Sequence, residues 1–204
     1  LYEKIRQEKA RLIAEKKIKK EKPLPPIMEE EQPFSIPATW KWVHLQEISF
    51  YLGDGIHGTP EYDPSGDYFF INGNNLSHGK ILITDKTKHV SRAEYEKYKV
   101  FLNQNSILIS INGTIGNLAF YDNEPVILGK SACYITLPKR IYRPYVFYLL
   151  QTKYFFEYAR SKATQTTIKN VSLQSMKSFM FPLPPLAEQK RIVDKLEELL
   201  PLAD

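Results

Sequence analysis

The chain has 204 residues, 43% of them hydrophobic and 13% aromatic, which is enough for one sizeable core and too apolar for a disordered segment. A single cysteine, Cys133, excludes an intrachain disulfide framework, and the four scattered histidines complete no zinc site of ordinary spacing, so a reducing cytoplasm fits best. The formal charge of +5 is unevenly spread: Leu1 to Lys22 carries nine bases and four acids, Pro23 to Gly129 seven and thirteen, and Lys130 to Lys177 nine bases and one acid, Glu157. The last block attracts a polyanion, since each Lys or Arg set against a phosphate releases counterions, although a solvated basic surface accounts for the same count. No apolar run approaches the length of about 18 residues needed to cross a bilayer, and nothing resembles a signal peptide, so no membrane partner is expected.

Residues 1–22 read as a helical arm, with Leu1, Ile5, Leu12 and Ile13 on one narrow apolar face that calls for a partner helix. The chain starts without methionine inside this pattern and is expected to be a piece of something longer. Residues 23–36, rich in proline and acid, form a linker. Residues 37–183 follow as the globular domain. Its short β-like pieces SFYLG, DYFFING, KILIT, SILISING, NLAFYD and SACYITL are separated by Gly, Asn and Asp, which predicts a curved, mainly antiparallel sheet in an α+β fold. One helix is expected from Ser91 to Lys99, with Ser91 as cap and Glu94 as its capping-box partner, and another from Pro144 to Ser161. A polar stretch then leads to the strand-like FMFPL. Residues 184–204 open a second helical arm, in which Ile192, Leu196, Leu199 and Ala203 recur with coiled-coil spacing. Ile5, Leu12, Ile192, Leu196 and Leu199 are the candidates for packing on partner helices.

Gly53, Gly55 and Gly58 spell G-x-G-x-x-G, but Thr59-Pro60 and the turn residues from Asp63 to Gly66 follow where a dinucleotide site needs a helix, so the run reads as a polar loop. No nucleophile elbow and no metal-ligand pattern is found, and Cys133 sits in an apolar strand, so no catalytic residue and no metal ligand is assigned. The positive signal is amides and hydroxyls beside bases. Asn74 and Asn75, then Ser110, Asn112 and Thr114, then Gln165, Thr166, Thr167, Lys169 and Asn170 can pair with base edges in DNA, and Lys130 and Lys162 can take phosphates. His57 and Thr59 rank next. Asn72-Gly73 is more readily an ordinary hairpin turn, and Asn112-Gly113 serves as either. ATQTTIKN, without glycine and inside the basic block, is the leading base-contact segment.

The run FPLPPLAEQKRIVDKLEELL from Phe181 resembles the segment that joins a target-recognition domain to a conserved helix in the specificity subunits of Type I restriction-modification enzymes. IPATWKWVHLQEI, DGIHGTP, NGTIGNLAF and TQTTIKNVSLQSMKSFMFPLPPL are similar to the same family in the same order, as is the opening arm, so the resemblance covers nearly the whole chain. It implies a non-catalytic subunit that binds double-stranded DNA and reads one half of a bipartite site. It further implies docking to DNA methyltransferase (modification) subunits and to a restriction motor-nuclease subunit. A second recognition domain, in the same chain or gained by dimerisation, is implied as well. No cofactor is expected on this chain, and S-adenosylmethionine, ATP and magnesium would serve the partner subunits. Two other readings stay open at this point: an adaptor whose helical arms dock proteins without specific DNA binding, and a stand-alone nucleic-acid enzyme.

Overall fold

The computed structural model describes residues 1–164 and 167–202. Its centre is set by a period of two. Among the described residues, strands β1 (Lys41–His44), β2 (Tyr51–Asp54), β3 (Tyr68–Ile71), β4 (Leu76–Ser77), β5 (Lys80–Ile81), β6 (Lys88–Val90), β7 (Ser106–Ser110), β8 (Leu118–Phe120), β9 (Val126–Leu128), β10 (Ala132–Thr136) and β11 (Met180–Leu183) form four sheets. The largest has the order β2-β10-β7-β8 and is antiparallel throughout. All five residues of β7 are buried, because both faces of this sheet are covered. Ile107, Ile109, Cys133 and Ile135 point into one apolar cluster, while Leu108 and Ala132 point into another on the opposite side. Ser106 and Thr136, directly opposite each other in the register, pair their buried hydroxyls at 2.7 Å, so neither is left unsatisfied.

The first cluster is roofed by helices: α1 (Tyr2–Ala14), α2 (Leu45–Ile48), α4 (Arg143–Leu149), α5 (Lys153–Lys162), α6 (Leu173–Ser178) and α7 (Leu186–Leu199), with α3 (Arg92–Tyr98) elsewhere. The second cluster lies against the β6-β3-β9 sheet and the β4-β5 hairpin, through Ile71, Val126, Leu128, Leu76 and Ile81. β3 and β9 run parallel, so the fold is α+β and mainly antiparallel. β1 and β11 pair antiparallel from opposite ends of the domain and close it, with Pro182 tolerated because this two-stranded sheet consists of edges.

Several expectations change. The opening helix stops at Ala14 rather than running through residue 22: Lys16 adopts φ 58°, Lys17 N donates to Leu12 O at 2.9 Å and Lys16 N to Ile13 O at 3.0 Å, a Schellman ending without glycine. The helix expected over Pro144–Ser161 is two helices, because Thr152 restarts the chain by capping Phe155 N. Ser91 caps α3 through Glu94 N, but the Glu94 carboxylate accepts Glu61 N at 2.9 Å instead of closing a capping box. The polar stretch after Asn170 contains α6, capped by Ser172. KILIT contributes only two residues of strand.

The helical arms also dock differently. Ile5 is fully buried in the domain's own core, so it packs on this chain and not on a partner helix; Leu12 is half-buried beside it in α1. α1 is pinned further by Tyr2 Oη to Glu47 (2.6 Å), by Lys9 Nζ to the Gln46 carbonyl and by Glu8 to Arg140 (3.2 Å). In α7 the buried face is Gln189 and Val193, with Ile192 partly buried against the same core. Gln189 bonds Tyr142 N and Pro184 O, both at 2.9 Å. Leu196 is half-buried and Leu199, Leu200 and Leu202 are exposed, so among the described residues of this arm the unpartnered apolar face lies toward the helix's far end, and Ala203 lies outside the described residues. No helix among the described residues is long and apolar enough to cross a membrane.

Candidate nucleic-acid interface

In the four-stranded sheet β2 leaves at Asp54, β7 leaves at Ser110, β10 enters at Ala132 and β8 enters at Leu118, and the pairing registers put these positions at one end. Their connections therefore meet there. Ile56 N donates to Leu128 O (2.8 Å) and Lys130 N to Ile56 O (3.0 Å), which joins the His57 loop to the Lys130 turn. Gly129 N donates to Ile71 O (2.8 Å) and Gly73 N to Ser131 Oγ (2.8 Å), which brings in residues 72–75. Ile111 N donates to Ser131 O (3.0 Å), Gly113 N to Lys169 O (2.9 Å) and Val171 N to Ile111 O (2.8 Å), which adds residues 110–117 and 167–171. Five segments distant in sequence thus form one backbone-bonded platform. They approach so closely that a Cβ on Gly129 would stand 2.1 Å from Asn72 Oδ1, and one on Gly73 2.6 Å from Ser110 Cβ.

Residues 55–59, 72–75, 110–117, 129–131 and 163–171 contain no Asp or Glu. They supply His57, Lys130 and Lys169 with a set of amides and hydroxyls. The described side chains Thr59, Asn74, Thr114, Lys130, Thr167 and Lys169 are exposed, and Asn112 and Asn170 are half-buried. His57 is exposed and its Nε2 is hydrogen-bonded to Asp54 Oδ2 at 2.7 Å, which fixes the ring at the rim. Gln165 and Thr166 lie outside the described residues.

Three candidates are corrected. Ser110 is fully buried and its hydroxyl accepts Asn117 N at 2.8 Å, so it shapes the loop and has no path to a base. Asn75 spends both ends of its amide locally, accepting Asn72 N at 2.9 Å and donating to Leu82 O at 3.1 Å. Lys162 stands over the Tyr158 ring, 5.8 Å from its centroid, and lines a groove with Leu24 and Pro25 of the linker and Gln174 of α6 instead of the platform. Arg160, two residues earlier on α5, borders the platform beside Lys169 and Phe156, a placement that residue spacing alone did not single out.

The basic block is not one surface. Lys177 is paired with Glu21 at 2.8 Å, and Arg140 with Glu8 at 3.2 Å. Arg143 donates to the Tyr121 carbonyl at 3.1 Å and covers the Phe120 ring, and its burial lowers its pKa. These three bases hold the fold. Cys133 is buried in β10, where desolvation pushes its thiol well above the usual range. Among the described residues no three His, Cys, Asp or Glu side chains gather as metal ligands.

Residues 37–202 match the family described as Type I restriction modification DNA specificity domain. The EcoAI specificity subunit of the Type I restriction enzyme from Escherichia coli is 31% identical over 210 residues, which cover 98% of this chain and 35% of that protein. The EcoEI specificity subunit, also from Escherichia coli, is 24% identical over 215 residues, covering 100% of this chain and 36% of the relative. The chain thus spans little more than a third of the length of these two curated relatives. The crystal structure of the HsdS subunit from Thermoanaerobacter tengcongensis is similar in fold, with a TM-score of 0.60 at 21% identity, over 83% of this chain and 39% of that one.

Proposed function

Because the chain belongs to the Type I restriction-modification DNA specificity family, we propose that it binds double-stranded DNA and reads one half of a bipartite target without bond-making chemistry of its own. The observation that carries this reading is the platform whose five loops contain no Asp or Glu, with Asp54 at its rim on His57: the loops, bonded to one another, present Asn112, Thr114, Asn170 and Asn74 for base edges beside Lys130, Lys169 and Arg160 for phosphates. A platform fixed by backbone bonds loses little freedom on binding, so its donors and acceptors discriminate between base edges. The second half-site is read by another recognition domain, in the same chain or contributed by dimerisation. The exposed leucines at the far end of α7 dock partner helices of that second half or of the DNA methyltransferase subunits. S-adenosylmethionine, ATP and magnesium serve those methyltransferase and motor-nuclease subunits.

The test is salt-dependent binding of the full chain to a duplex library. Selection of one short motif, with affinity for it well above that for scrambled DNA and a steep fall with salt, is the expected result. Binding that shows no sequence preference at any salt concentration would leave the chain a protein-docking adaptor.

A further inference from the structure

Residues 113–117 contribute to the walls of two neighbouring depressions. Gly113 and Ile115 border a hollow of about 230 Å³ that also holds Phe156, Arg160 and Lys169. Gly116 and Asn117 border a larger one of about 590 Å³, lined also by His78, Lys80, Phe120, Phe147 and Gln151. Among the described residues, neither hollow is lined by an acidic side chain. The segment itself projects: Thr114 is exposed, and a Cβ on Gly113 would meet nothing within 4 Å.

The backbone that carries His78 and Lys80 is anchored at its turn. His78 (φ 46°) and Gly79 (φ 78°) are the two left-handed residues of the tight turn that joins β4 to β5. That turn is bonded to the neighbouring edge strand β8, with Gly79 N donating to Leu118 O (3.1 Å) and Phe120 N to Gly79 O (2.9 Å). The hairpin is thereby tied to β8, the strand that directly follows residues 112–117.

A duplex groove is bounded by two phosphate strands, so a ridge that enters it meets one strand on each flank. We propose that the β4-β5 hairpin is a second phosphate clamp: while 112–117 enters the groove, Arg160 and Lys169 hold one strand, and Lys80 with His78 holds the opposite strand in the larger hollow. This rests on the DNA reading above and adds to it the strand each basic group holds.

The experiment is phosphate ethylation interference together with salt-dependent binding, using the full chain and the duplex selected above. Lys80→Ala is expected to weaken binding to every sequence and to lower the salt slope by about 0.9 for each phosphate that is no longer neutralised. The interference that disappears in Lys80→Ala is expected on one strand, and that which disappears in Arg160→Ala on the other. Lys80→Arg restores the slope, and thermal unfolding of Lys80→Ala matches the parent because the side chain is exposed. If Lys80→Ala leaves affinity and slope unchanged while Lys169→Ala still weakens binding, the clamp is wrong and the base-reading platform stands. Loss of interference on the same strand for both variants also overturns it. A parent chain that binds no DNA removes the platform reading itself.

Discussion

Asn112 Nδ2 donates to Asn170 Oδ1 at 3.3 Å, so two amides 58 positions apart meet within the platform. The backbone brings them there: residues 112 and 170 form an isolated antiparallel bridge, flanked by the Gly113 to Lys169 and Val171 to Ile111 bonds. Each side chain commits one group to the pair, the NH2 of Asn112 and the oxygen of Asn170.

Asn170→Ala is therefore expected to cost discrimination more than adhesion. Lys130, Lys169 and Arg160 are untouched by the change, but Asn112 loses the partner that orients it. Competition between the preferred duplex and single-base variants should show about 1–3 kcal/mol less preference at one position, with affinity for scrambled DNA nearly unchanged. An equal loss on all sequences would make Asn170 a purely structural residue.

Arg160 and Lys162 provide a comparison of two bases on one helix. Arg160→Ala should lower affinity for every duplex, preferred or scrambled, and flatten the dependence of log affinity on log salt by about 0.9. Lys162→Ala should do neither, because that ammonium faces Tyr158 and the linker groove. Titrations from low to moderate salt decide the matter, and a larger effect at 162 than at 160 would contradict the orientation of α5.

The G-x-G-x-x-G run acquires a packing explanation that can be checked. A Cβ on Gly55 would lie 1.9 Å from the Leu128 carbonyl oxygen, where the β2 exit crosses β9, whereas one on Gly58 would meet nothing within 4 Å. Gly55→Ala should destabilise the domain by about 1–3 kcal/mol in urea denaturation, as overpacking against fixed backbone does. Gly58→Ala should leave the midpoint almost unmoved. Comparable losses from both would mean that the glycines serve some shared purpose other than close approach.

Much of this architecture is legible locally and little of it non-locally. Ser91 announces α3, and the short apolar runs in SILIS and ACYIT announce β7 and β10, because caps and strand-length apolar runs are written in neighbouring residues. β9, only three residues long, carries no period of its own, and β1 is recognisable only through its partner β11, some 140 positions away. The candidate site divides in the same way. Asn112, Lys169 and Asn170 stand out by composition, but that Ser110 ends a strand buried on both faces depends on what lies above and below the sheet. Lys177 and Arg140 count as free charge in the sequence, whereas in the folded chain Glu21 and Glu8, more than 130 positions away, stand against them. Charge counting sees composition, and ion pairing depends on which distant residues the fold brings together.

The docking of the first arm makes a pH-dependent prediction. Burial lowers the Lys9 ammonium to about 8, a fall that Glu21 and Glu47 offset in part. In the unfolded chain its pKa is about 10.4. Between about pH 8 and 10.4 the unfolded state therefore binds more protons than the folded one, so this group's contribution to stability rises with pH across that window; below it, the cost of burying the charge is fully present. Cys133 pulls the other way, since its thiol stays protonated when folded but ionises above about 8.5 when unfolded, and stability from that source falls as pH rises. The two are separated by comparing the parent with Lys9→Met, in which Cys133 is common to both. The Met variant gives up the bond to the Gln46 carbonyl at every pH but escapes the buried charge. Its stability relative to the parent should be most favourable at about pH 7 and should decline by about pH 9.5 in urea titrations, as the parent's lysine sheds its proton. A difference that stays constant between those two pH values would show that Lys9 does not titrate there and that the arm is not clamped over it.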